Sequence, residues 1–411
     1  MSTDVMSTDV AVTGLGLVTP AGIGAAANWA AVCAGRSTAD RDPALAGQLV
    51  DISCRVPGFD PVALLGPRPA RRLDRFVQFA VVALREALRD AGLDAPGAAG
   101  GARVGVVVGC ADGGPSTVEV QHRTLLERSP DQVSALLLPM QLPNMLAGQL
   151  SIECGATGPS MVVATACASG TTAIGLARDL LLAHRCDVVI TGGSEAMVTP
   201  LVMAGFSQMK ALSRRTAQPR SASRPFDRDR DGFVAGEGAG ILVLERIGDA
   251  AARGVRVRAR IAGFGASADA HHVTAPDPDG RGAEQAIRTA LADAGRAGTD
   301  VDHVNAHGTG TPSNDVVESR VLHRTVGERA LVTSTKGVTG HLFGAAGAVE
   351  AAYTVLALEE QLVPPTANLD EPDPQVRVPV AQKPTPLRMS TALTTSFGFG
   401  GQNAALVVSA A

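Results

Sequence analysis

The chain has 411 residues, 45% of them hydrophobic and 18% charged, which is enough for a large buried core and about two or three domains. A formal net charge of −4 and an aromatic content of 3% argue against nucleic-acid binding, which wants a basic face and stacking platforms. No apolar run reaches the length of a membrane span and the N-terminus lacks a basic-then-apolar leader pattern, so we expect a cytoplasmic protein with neither membrane nor nucleic acid as partner.

The pentapeptide MSTDV stands twice at the start, as Met1–Val5 and Met6–Val10, and the first copy is expected to fray. Val10–Thr13 reads as a strand. Gly14-Leu15-Gly16 follows, but Thr19-Pro20 occupies the place where a dinucleotide site needs a third glycine and a helix, so a Rossmann site is rejected. Leu73–Ala91 carries one apolar stripe at helical spacing and is stopped by Gly92. Arg103–Gly109 reads as a buried strand that ends in the small-residue loop Gly109–Gly114. Met161–Ala166 is apolar and β-branched and suits a strand buried on both faces. From Ala168 the period changes, with Ala173, Ile174, Ala177 and Leu181 at helical spacing. Asp187–Thr191 and Gly240–Glu245 read as strands on either side of an Arg-rich loop, Ser213–Asp231. A second series then begins: strand Arg258–Phe264, helix Gly282–Ala294, strands His303–Asn305 and Leu331–Ser334, helix Gly344–Gln361, and strands Ala392–Phe397 and Ala404–Val408. Two runs of alternating strands and helices predict an α/β fold of two similar halves, residues 1–255 and 256–411.

Six cysteines are present and none forms a C-x-x-C pair, so neither a zinc site nor a redox dithiol is signalled. Cys167 differs from the rest, because it sits where an apolar strand turns into a helix. The unpaired N–H groups and dipole of a helix start favour a thiolate there, which makes it the candidate nucleophile. Two of the eight histidines lie in glycine-flanked loops after short apolar strands: His307 in Asn305–Thr311 and His341 in Lys336–Gly344. Ligands of open α/β sheets bind beyond the carboxyl ends of the strands.

The segments Thr165-Ala166-Cys167-Ala168-Ser169-Gly170, Asn305-Ala306-His307-Gly308-Thr309-Gly310-Thr311, Lys336 through His341 and Gly398-Phe399-Gly400-Gly401 resemble, in order and spacing, the elongating β-ketoacyl-acyl carrier protein synthases of fatty acid and polyketide assembly. The similarity extends to Ser223–Asp227 and Gly232–Val234 and so covers nearly the whole chain. It implies the thiolase fold, two similar halves stacked as α-β-α-β-α layers. Thiolases use a second cysteine near the C-terminus, which is absent here. Initiating synthases carry Asn where this chain has His341, and chain-length factors have lost the cysteine. A thiolase-type acyltransferase using coenzyme A and a non-catalytic chain-length-factor-like subunit are the two alternatives these residues weigh against.

The resemblance further implies that Cys167 accepts an acyl group, that the Cys167 and Phe399 backbone N–H groups form an oxyanion hole, and that His307 and His341 stabilise the enolate left by loss of CO₂ from a malonyl thioester. It also implies a Lys336–Glu318 pair beside His341, hydrogen bonds from Thr309 and Thr311 to a phosphopantetheine arm, and an acyl-pocket gate at Phe399. No metal or organic cofactor is expected. The expected partners are an acyl carrier protein, docking on Arg68, Arg71, Arg72 and Arg214 or its neighbour Arg215, and a second subunit, identical or chain-length-factor-like. A second basic pair of the family is replaced by Asp131 and Gln132. Asp112 falls where relatives with simple fatty substrates place an apolar acyl-pocket residue. It suggests a polar, unsaturated or short acyl chain, or a pairing group from a partner subunit.

Overall fold

The computed structural model describes residues 10–95 and 97–411; the duplicated Met1–Val5 lies outside them. Ten strands carry the fold. The first half supplies β1 (Val10–Thr19), β2 (Val104–Gly109), β3 (Ser160–Val163), β4 (Val188–Glu195) and β5 (Gly238–Arg246). The second supplies β6 (Ala259–Ala268), β7 (His303–Asn305), β8 (Leu331–Thr333), β9 (Thr391–Gly398) and β10 (Gln402–Ala410). The spatial orders are β3-β2-β4-β5-β1 and β8-β7-β9-β10-β6. Each half therefore repeats the same path, third-second-fourth-fifth-first. The pairing sense repeats too: parallel among the third, second and fourth strands, antiparallel from the fourth to the first. The two first strands join antiparallel from Val10↔Ile261 to Val12↔Ala259.

Five helices build the layers around these sheets. Outer helix α1 (Arg75–Asp90) packs on β1 and β5, and its counterpart α3 (Arg281–Asp293) packs on β6 and β10. Gly14 and Gly16 of β1 face the carbonyls of Ala87 and Ala83, and Gly263 and Gly265 of β6 face those of Ala290 and Ala286. A Cβ at any of the four would overlap helix backbone. The Gly-x-Gly near the N-terminus is thus a helix–sheet packing device, matched in the second half. Helices α2 (Ser169–Leu182) and α5 (Ala346–Glu360) touch each other and strands of both halves, forming the central layer. Every residue of α5 from Ala346 to Leu358 is buried, which is why it shows no one-sided apolar stripe. α4 (Pro312–Val326) packs beside α3. The result is the α-β-α-β-α thiolase fold expected from the sequence.

The segment Met161–Ala166 departs from expectation. β3 spans only Ser160–Val163 and forms a sheet edge, with Ser160 and Met161 exposed rather than buried on both faces. Its apolar, β-branched residues are suited to pairing, and among the described residues one side of the strand has no neighbour.

Candidate active site

Cys167 lies in a 3₁₀ turn, Ala166–Ala168, between β3 and α2. Ala166 there has φ +48°, an uncommon conformation for a residue with a side chain. Ser169 holds it: its Oγ donates to the Ala166 carbonyl at 2.6 Å and accepts from the Thr165 N–H at 2.9 Å. From the other half, the end of β9 comes against this turn. A Cβ at Gly398 would stand 2.7 Å from the Thr165 oxygen, so glycine is what lets the two segments meet. The following residue, Phe399, directs its backbone N–H at the Cys167 sulfur.

His341 reaches the same spot through Gly340, whose φ of +69° and close approach to Val234 and Cys54 leave no room for a side chain. The His341 N–H donates to the Val234 carbonyl at 2.8 Å, and its own carbonyl accepts from Gly236 at 2.9 Å. Its Nε2 stands 3.1 Å from Cys167 Sγ. The His307 ring lies edge-on to the His341 ring, centroids 5.4 Å apart. The Nδ1 atom of each ring is buried without a partner, so Nε2 is the nitrogen each presents to the cavity. Burial, reinforced by the Lys336 charge, holds both imidazoles well below their usual range and therefore neutral at pH 7. Cys167, His307, His341, Phe399, Thr309 and Thr311 line one cavity of about 360 Å³, whose apolar wall includes Phe206, Phe343 and Ala111.

Three sequence expectations are corrected here. First, Lys336 pairs with Glu350, not Glu318; both members are buried, and the close contact runs from Nζ to Oε1. Glu318 instead accepts the His307 and Gly308 N–H groups at 2.8 and 2.7 Å and the Thr395 hydroxyl at 2.8 Å, which fixes the loop carrying His307. Second, Cys167 is not a favoured thiolate at rest. Burial pushes the thiol up to about 11, outweighing the Lys336 charge and the Phe399 N–H, which pull it down. Third, Ala111, not Asp112, forms the cavity wall within this chain. Asp112 is exposed in this chain, desolvation by its neighbours raises its carboxyl, and among the described residues that carboxylate has no hydrogen-bond or ion-pair partner. Thr309 and Thr311 hold each other through their hydroxyls at 2.9 Å, at the cavity's polar side. Arg68, Arg71, Arg72 and Arg214 are exposed and carry no ion pair among the described residues. Sequence reasoning missed Glu350, hidden in the largely apolar buried stretch of α5, and Glu195, a charged residue ending the buried strand β4.

The raised thiol has a measurable consequence. A group with its pKa near 11 is about one part in 10⁴ thiolate at pH 7. Alkylation of Cys167 by iodoacetamide, followed on its tryptic peptide, should therefore climb about tenfold per pH unit from pH 7 to pH 10. A plateau below pH 9 would contradict the assignment.

A cysteine backed by two neutral imidazoles and a backbone N–H, at the meeting point of two thiolase-like halves, defines a thiolase-fold acyltransferase. Family models of the beta-ketoacyl synthase N-terminal and C-terminal domains match residues 7–250 and 258–370. The 3-oxoacyl-[acyl-carrier-protein] synthase 2 of Synechocystis is 43% identical over 405 residues, 97% of each chain. Among solved structures, the ishigamide ketosynthase/chain length factor superposes with a TM-score of 0.91 at 33% identity, over 98% of this chain and 99% of that one. A type II polyketide synthase acyl-carrier protein in complex with its ketosynthase bound to the hexaketide gives 0.89 at 29%, over the same shares. The chain belongs to the β-ketoacyl synthase family, and its activity is that of a ketosynthase, the decarboxylative condensation that makes a 3-oxoacyl thioester. No helix among the described residues is long and apolar enough to cross a membrane.

Proposed function

We propose that Cys167, His307 and His341 carry out this condensation on substrates delivered by an acyl carrier protein, the 3.1 Å approach of His341 Nε2 to the Cys167 sulfur being the observation that carries the assignment. The Cys167 sulfur attacks the acyl thioester, with the Phe399 N–H and the cysteine's own N–H receiving the oxyanion, and the thiol proton leaves with the displaced pantetheine thiolate. A malonyl thioester then loses CO₂, and its enolate oxygen accepts hydrogen bonds from the Nε2–H groups of the two rings. Neutral rings suit this role, since each then keeps one N–H to donate. The enolate carbon attacks the acyl–Cys167 carbonyl; the C–S bond breaks, and the released thiolate takes up one proton. The product is a 3-oxoacyl thioester two carbons longer, and no step calls on a metal or organic cofactor. Lys336 supports the site through its charge, and Thr309 and Thr311 bind the pantetheine arm. Incubation with acyl- and malonyl-carrier protein tests the reading by release of CO₂ together with a 3-oxoacyl product; CO₂ without that product would refute condensation.

The carrier protein docks on Arg68, Arg71, Arg72 and Arg214, since an acidic partner favours an unpaired basic face. Reversing Arg71 and Arg72 together to Glu should lower kcat/KM about tenfold at low salt, with kcat little changed and the difference shrinking as salt rises. The open edge of β3 and the exposed Met161, Ile152, Leu138 and Val120 on nearby segments take a second subunit, identical or chain-length-factor-like. Asp112, exposed in this chain and standing where relatives with simple fatty substrates carry an apolar residue, favours polyketide or polyene over housekeeping fatty acid substrates.

A further inference from the structure

Glu195 is fully buried, yet no lysine, arginine or histidine pairs with it among the described residues. It ends β4, which pairs with β2 as far as Gly193↔Gly109 and then continues two residues beyond the point where β2 leaves the sheet. The departing chain loses its strand partner there, and the Glu195 carboxylate takes over. Oε2 accepts the Ala111 N–H at 2.6 Å; Oε1 accepts the Asp112 N–H and the Cys110 thiol, each at 3.4 Å. On its other side, Oε2 occupies the space that a side chain at position 344 would need, so the Phe343–Gly344 turn closes against it. Ala111 and Phe343 both line the cavity that holds Cys167. Phe343 has φ +49° and stacks on Phe206 at 5.2 Å between ring centroids. One carboxylate thus lies between two pieces of the same apolar wall.

We propose that Glu195 is a positioning residue that fixes the 110–112 turn against Phe343 and so sets which acyl chains the cavity admits. The inference rests on the ketosynthase reading for its substrate and on the hydrogen bonds alone for its geometry. Among the described residues no cation compensates the buried carboxylate, a costly arrangement for mere filling, and both of its oxygens accept from the turn. Glutamine at this position keeps one acceptor but points an N–H₂ group at donors, so it has the right size and the wrong chemistry for the turn.

The test uses Glu195→Gln in the full chain and reads two quantities. Acyl transfer from acetyl- and octanoyl-carrier protein to Cys167 is measured by mass spectrometry. Amide exchange is followed on the peptide covering residues 104–114. The octanoyl-to-acetyl ratio of loading rates should fall at least tenfold, and exchange at Ala111 and Asp112 should speed up at least tenfold while β2 stays protected. Cys110→Ala removes one donor and leaves the carboxyl group in place, so it should move the ratio the same way by about threefold. It also serves if the glutamine variant does not fold. An unchanged ratio, or an equal loss for both chains, would overturn the proposal. If the wild-type chain loads neither acyl group, the reaction assignment fails, and the exchange result alone then decides the positioning claim: unchanged exchange sinks it.

Discussion

Replacing Cys167 with alanine should lower condensation about 10⁴-fold or more while malonyl decarboxylation remains measurable. The two halves of the reaction use different atoms. Acyl transfer needs a sulfur that can both attack and leave, and no other thiol lines the cavity. Loss of CO₂ needs only that the developing enolate oxygen meet N–H donors, which His307 and His341 still supply in the variant. His341→Ala should show the complementary pattern, with the cysteine still alkylated but CO₂ release suppressed about 10²-fold or more. The pair of variants, assayed for both CO₂ and product, separates the roles. Equal loss of both activities in Cys167→Ala would mean that the sulfur also acts in decarboxylation.

Lys336→Ala should be the most damaging change to stability near the site. Its ammonium is the only partner of the Glu350 carboxylate among the described residues, and both groups are buried. Breaking a buried pair by removing one member costs about 3–5 kcal/mol, because the remaining charge has neither partner nor water. Burial already raises the Glu350 carboxyl in the intact pair, and without the lysine it rises further. A carboxyl whose folded pKa lies above its unfolded value stabilises most at low pH and loses that contribution as pH rises through the folded value. The melting-temperature deficit of the variant should therefore widen as pH rises past about 7, where Glu350 ionises in the intact pair but not in the variant. A second effect is catalytic. The Lys336 charge helps hold both imidazoles neutral, so its removal lets them rise toward their usual range. The acid limb of the condensation profile should move to higher pH. A deficit that narrows with rising pH, or an unmoved acid limb, would show that the ammonium does neither job.

The residues proposed for the reaction were readable from local sequence because each sits in a short loop with its own signature. Cys167 lies between an apolar strand and a small-residue helix, and His307 and His341 each adjoin a glycine in a loop after a buried strand. Their meeting depends on the doubled strand order, which alternating elements suggest but do not specify. Pairings between distant charges were not readable. Lys336 has Glu318 and Glu350 both within reach along the chain, and only the packing of α5 against the His307 and His341 loops decides between them. The Cys167 thiol shows the same limit: the turn at a helix start argues for a thiolate, but burial is a tertiary quantity and it wins. Met161–Ala166 reads as a doubly buried strand because its composition answers to the sheet edge, not to burial within one chain. Glu195 left a signal that could have been used, a lone carboxylate closing the otherwise uncharged run Val188–Ser194.

The most direct test of the central claim is the mass of the Cys167 peptide after brief incubation with acyl-carrier protein alone. The account predicts an acyl increment on that peptide, absent in Cys167→Ala and discharged when malonyl-carrier protein is added. An increment on another residue, or an acyl–Cys167 that malonyl-carrier protein leaves in place, would contradict it.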